Sequence, residues 1–100
     1  MKLTIIKNDG AVYKDGKSYA DLSLPTIPSD VHALQWNNDT GHIEFVDSVK
    51  ANEAITELPS WANDALTAWQ NAYDAEQVEI ARLQAEAEAK RLAKLSEQTV

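Results

Sequence analysis

One hundred residues, a net charge of −7 and no cysteine bound the chain to one domain or less, without a disulfide framework or thiolate chemistry. An acidic chain also lacks the Lys/Arg surface that phosphate binding needs. Residues 1–59 carry 5 Lys against 9 acidic residues, and residues 60–100 carry 4 Lys/Arg against 7, so neither half is a basic arm and nucleic acid is not expected as a partner.

The hydrophobic share of 44 % includes 15 Ala, and most of the larger apolar residues precede Val78. A thin core in the first three quarters of the chain follows. The opening "MKLTIIKNDG" lacks the apolar length and cleavage site of a signal peptide. No stretch approaches the ~18 apolar residues of a membrane span. The expectation is a soluble intracellular protein without membrane contact.

In chain order, "KLTIIK" is β-branched and compact, and "NDG" stops it. "AVYK" follows, then Asp15-Gly16, then "KSYADLSL". An Asp-Gly pair between short strand-like runs is a hairpin signal, because both turn positions need positive φ. Val12 and Tyr13 then pair across from Ser18 and Tyr19. "LPTIPSD" is a connector whose prolines fix φ and push Leu24 and Ile27 toward extended conformations. "VHALQW" and "HIEFVD" form a second hairpin around the loop "NNDTG". With Trp36 opposite His42, one face carries Trp36 and Leu34. The other carries Val31, Ala33, Ile43 and Phe45, so both faces of the small sheet call for a cover. "SVKANEAITE" reads as a polar transition with a weak helix signal.

From Ser60 the pattern changes for good. Ser60 follows Pro59 as the expected N-cap, and Asp64 sits near the first turn, where negative charge is favoured. Residues 64–97 contain neither Gly nor Pro, and ten Ala lie between Ala62 and Ala93. A helix over residues 60–97 would be about 57 Å long, with fraying expected by about Ser96. The organisation expected is an α+β fold: a small antiparallel β-hairpin module of four to five short strands over residues 1–50, a connector over 51–59, and one long C-terminal α-helix over 60–100, its N-terminal part packed on the sheet.

A heptad register beginning at Leu66 places Trp69, Tyr73, Ile80, Leu83 and Ala87 on one stripe, interrupted by Glu76; beyond Ala87 it fails at Lys90 and Lys94. Trp61, Leu66, Trp69 and Tyr73 are bulky enough to pack on the sheet. Ile80, Leu83 and Ala87 make the narrower stripe of a coiled-coil seam. Outside it, Glu79–Arg82, Glu86–Lys90 and Glu88–Arg91 have the spacing of solvent-facing ion pairs. Three outcomes stand for this stripe: an Ala-rich solvated helix, self-association as a coiled coil, or docking on a different protein.

Chemistry is absent from the pattern. His32 and His42 lie at opposite ends of the second hairpin without metal-ligand spacing. No serine has a nucleophile-elbow context, the three glycines fall in turns rather than in a phosphate loop, and the acidic residues lack calcium-loop spacing. A non-enzyme without metal or cofactor is expected. Trp36, Trp61, Trp69 and Tyr73 are many aromatics for so short a chain. They either seal sheet to helix or anchor a partner, as Trp and Tyr do in binding hot spots.

Two stretches, "VHALQWNNDTGHIEFVD" and "LPSWANDALTAWQNAYDAE", with the opening "IIKNDGAVYKDGKSYADLSL", resemble small proteins encoded among the tail and tail-fibre genes of tailed bacteriophages. The matched signature is a Val-His-Ala-x-Gln-Trp strand, an Ile-Glu-Phe strand, then Leu-Pro-x-Trp opening an Ala/Glu/Lys-rich helix, over roughly three quarters of the chain. The resemblance implies a tail-fibre assembly chaperone acting in the host cytoplasm on a tail or fibre protein. Its alternative is a structural component or adaptor retained in the virion tail. A small cell-surface- or carbohydrate-binding module using an exposed Trp36 is the reading from another class. In the chaperone reading the β module with Trp61 and Trp69 holds the client, and Ile80, Leu83 and Ala87 drive oligomerisation or pairing with a client helix.

Overall fold

The structure, a computed structural model, describes residues 1–98. It is an α+β fold: six antiparallel strands in one sheet, followed by one long helix. The strands are β1 (Lys2–Ile6), β2 (Ala11–Lys14), β3 (Lys17–Tyr19), β4 (Val31–Asn37), β5 (Thr40–Phe45) and β6 (Glu53–Ile55), and the helix α1 is Ser60–Gln98. Their order across the sheet is β3-β2-β1-β4-β5-β6.

The first hairpin forms as its turn chemistry dictates. Asp15 and Gly16 adopt φ of 48° and 92°, the two positive values of a tight hairpin turn, and Val12 and Tyr13 pair with Tyr19 and Ser18. Residues 20–30 then carry the chain from edge strand β3 back to the middle, where β4 pairs with β1. This connector is pinned to the β1–β2 turn by Asp21 N–H donating to Asp9 O (3.1 Å) and Leu22 N–H to Gly10 O (3.0 Å). It lays Leu22, Leu24 and Ile27 against the core, with Ile27 only 6 % exposed.

The second hairpin differs from the expected register by one residue. Its turn is the pair Asn38-Asp39, with Asn38 at φ 61°, not the five-residue loop. Trp36 therefore faces Gly41, and Leu34 faces Ile43. A slip of one residue moves a strand's side chains to the opposite face, so Leu34, Trp36 and Ile43 share the face that also carries Leu3, Ile5 and Val12. Near its start β4 has an irregularity between Val31 and Ala33, which lets Val31 (4 % exposed) join the core. One sheet face is thus apolar and covered. The other carries Lys2, Thr4, Tyr13, Gln35, His42 and Glu44, none of them buried, and needs no second layer. The segment expected to be a polar transition supplies β6, which pairs with β5 through Gly41–Ile55, His42–Ala54 and Ile43–Glu53. Its β-branched Ile55 lies on the core side, and that contact overrides the weak local helix signal.

Helix α1 begins at Ser60 as expected and runs through Gln98, past the point where fraying is expected from sequence. Ala62 and Ala65 are 0 % and 1 % exposed. Small side chains there let the helix approach the sheet closely, against β2 and β3. From residue 77 to residue 96 every residue is exposed. That stretch is about 30 Å long. It explains why the radius of gyration is 20.1 Å, when a compact chain of this length has about 13 Å.

Candidate functional site

The helix leaves the sheet through a joint built on Trp69. The indole Nε1–H donates to Lys17 O at 2.9 Å. Tyr19 meets the ring edge-on with centroids 5.8 Å apart, Tyr73 stacks on it at 5.3 Å, and Lys14 Nζ sits 4.7 Å from its centroid. Two turns on, Lys17 Nζ donates to Glu76 Oε1 at 2.9 Å. The strand period of two makes this possible: Lys17 and Tyr19 of β3 point to the same side and meet Trp69, Tyr73 and Glu76, which lie near one helix face.

The Tyr19 hydroxyl is buried beside the Glu76 carboxylate without a hydrogen bond of good geometry. Burial first, and then the neighbouring carboxylate, push the phenol up to about 12. Glu76 is held below the usual carboxylate range, by the phenol first and then by the Lys17 ammonium. The Lys17–Glu76 pair is roughly half exposed on each side, so solvent screening leaves it little energetic weight. It fixes direction more than it adds stability.

Beyond the joint the same helix face continues without a cover. At 3.6 residues per turn, Ala62, Ala65, Trp69, Glu76, Ile80, Leu83 and Ala87 fall within about 60° of arc. The first three are buried against the sheet, whereas Ile80 is 39 % and Leu83 51 % exposed. Ala87 is exposed too, beside a shallow depression it shares with Gln84, Glu88 and Arg91. Leu92 and Leu95 lie off this stripe. On the flank Arg82 bridges Glu79 (3.0 Å) and Glu86 (2.6 Å), and Arg91 reaches Glu88 at 3.2 Å; Glu86 thus pairs with Arg82 where the spacing offers Lys90.

The candidate residues divide accordingly. Trp69 is 7 % exposed, and Trp61 and Trp36 are half-buried against the core. Trp36 lies on the covered face opposite Gly41, so the exposed Trp36 of the cell-surface reading is not what this fold presents. Tyr73, Ile80, Leu83 and Ala87 remain open. Lys17 and Tyr19, which hold the helix, carry no local signal of that role; the Asp-Gly hairpin register that brings Tyr19 opposite Val12 is the one clue. On the polar sheet face, Lys2, Thr4, Gln35, Asn37 and His42 line a groove of about 440 Å³, where Thr4 Oγ1–H donates to Gln35 Oε1 at 2.7 Å. His42 Nε2 is 3.5 Å from Glu44 Oε2.

Among the described residues no group of three or more His, Cys, Asp or Glu is placed to hold a metal ion, and no helix is long and apolar enough to cross a membrane. Comparison with protein-family models, with curated proteins and with solved structures found no match to this chain.

Proposed function

We propose that this chain is a non-enzymatic assembly factor for a tailed-phage tail fibre, binding a tail or fibre protein through its projecting helix while assembly proceeds in the host cytoplasm. The observation that carries the reading is the uncovered continuation of a core-forming stripe: the face that buries Ala62, Ala65 and Trp69 runs on as Ile80, Leu83 and Ala87 with nothing upon it. An apolar helix stripe of this kind is read by a groove or a second helix. The head's part is to hold the helix root at a fixed angle through Trp69 and Lys17. The tryptophans serve this joint and the core, so the client surface moves from Trp61 and Trp69 to the helix beyond them. The phage-tail assignment itself rests on the residue pattern of the two hairpin and helix-opening stretches.

The test is co-expression of the neighbouring fibre protein with this chain. Soluble fibre should rise with the wild type and fall back with Leu83→Glu, which changes an exposed residue. Fibre that folds equally well without the chain removes the reading. The long, rigid helix would also suit a permanent adaptor; mass spectrometry of purified particles decides between a retained component and a transient one.

A further inference from the structure

We infer that, when no client is bound, the uncovered stripe is filled by the same stripe of a second copy running antiparallel. The inference extends the assembly reading and shares its stripe, and the tests below separate the two.

Three observations lead to it. First, the free stripe faces the side on which the helix carries its own sheet, because Ala62, Ala65 and Trp69 share an arc with Ile80, Leu83 and Ala87. Paired helices lie 8–10 Å apart. A parallel, in-register partner would place its first turns in the space the sheet already occupies. An antiparallel partner carries its head away past the free tip, and meets no such obstacle. Second, residues 77–96 offer about 30 Å of helix before a partner's tip reaches the joint. Third, the charges run in opposite senses at the two ends. Asp74, Glu76 and Glu79 lie at the root, and Lys90, Arg91 and Lys94 toward the tip. Antiparallel pairing lays each tip on the other's root.

One register satisfies all three. It places Leu83 against Ala87 of the second copy, the aliphatic stem of Lys90 of the second copy across Ile80, and Lys94 of the second copy beside Glu76. These are the alternating layers of an antiparallel seam. Near the two-fold axis Glu86 meets its own equivalent, and each is neutralised by its own Arg82 at 2.6 Å. The apolar content is small, so the dimer is weak and reversible. A weak cover is one that a client can displace.

The chain contains no cysteine, so single cysteines are clean probes. A spin label at exposed Ala93 (Ala93→Cys) reads the direction of pairing. In the proposed register residue 93 lies level with residue 77 of the second copy, which is about 24 Å along the axis. Label separations of roughly 25–30 Å are expected by pulsed electron resonance; separations near the interhelical distance of about 10 Å would mean parallel pairing and overturn the inference. Sedimentation equilibrium should show a concentration-dependent dimer that Leu83→Glu weakens at least tenfold and that Lys90→Glu/Lys94→Glu also weakens, each with the thermal melt of the head retained. A wild-type chain still monomeric at about 1 mM, where even millimolar affinities register, would also overturn it, as would a Leu83→Glu chain that dimerises like the wild type. Fibre rescue by a chain that never dimerises leaves the assembly reading standing and this one fallen. A dimer without fibre rescue does the reverse.

Discussion

Replacing Trp69 by Ala tests whether the helix is held by the joint or merely lies near it. Trp69 is 7 % exposed, hydrogen-bonded to Lys17 O at 2.9 Å and in ring contact with Tyr19 and Tyr73. Large aromatic-to-Ala changes in cores cost about 3–5 kcal/mol. The lost hydrogen bond lies within that range, since such a bond is worth about 0.5–1.5 kcal/mol. Tyr73 and Lys14 can settle into part of the space, so about 4 kcal/mol is expected. A domain of this size has roughly 5–15 kcal/mol in total, and each kcal/mol moves its melting temperature by about 4–8 °C. The variant should therefore melt some 16–32 °C lower. Ile80→Ala, on the open stripe, should stay within about 1 kcal/mol of the wild type. Urea unfolding followed by far-ultraviolet circular dichroism and by tryptophan fluorescence measures both. If Trp69→Ala loses less than about 1 kcal/mol, the helix is not anchored by this residue, and the account of the joint is wrong.

Ending the chain after Glu76 removes only exposed helix, so the head should keep its melting temperature to within about 4 °C, read by fluorescence, while helicity falls; a collapse of the head would show that the projecting part supports it. Gly41→Ala should destabilise by about 1–3 kcal/mol, because its Cβ would meet the backbone oxygen of Gln35 and approach Trp36 Cα to 3.0 Å; wild-type unfolding by urea would refute the close approach. Tyr19 gives a pH prediction. Its phenol is raised from 10.0 to about 12, so the stability it contributes is complete below pH 10.0, declines between pH 10.0 and 12, and is gone above. Tyr19→Phe should remove the latest step of the phenolate absorbance titration. Glu76 runs the other way: its lowered carboxyl contributes above the ordinary value of 4.5 and loses its contribution as pH falls through its folded value, so Glu76→Gln should flatten the acid limb of stability.

Part of this fold is legible in local chemistry alone. Asp15-Gly16 specifies its turn through backbone conformations few other pairs adopt, and its hairpin pairs as expected. The long helix is written in the absence of Gly and Pro from residue 64 to residue 97. The second hairpin is harder to read, because "NNDTG" contains several residues suited to turns. Which two of them turn decides the register, and the register decides the faces. Strand β6 is hidden in the sequence because Glu53, Ala54 and Ile55 have little strand character of their own; pairing with β5 makes them a strand. The joint is half visible. Trp69 and Tyr73 stand out as aromatics at helix spacing, but their partners Lys17 and Tyr19 are brought to them by tertiary packing across more than fifty residues of chain.

The chain leaves the sheet from β6, at one edge, and its helix is fastened at β3, the other. Segment 56–69 therefore works as a strap across an open sheet whose two outermost strands are each three residues long. Edge strands this short hold weakly by themselves. With the strap closed, β3 cannot peel away without first dragging Trp69 from its place. A load applied at the helix tip reaches the sheet at that same strand. The weakest edge of the head and the attachment of its lever are one point, so whatever grips the helix also tightens or loosens the edge.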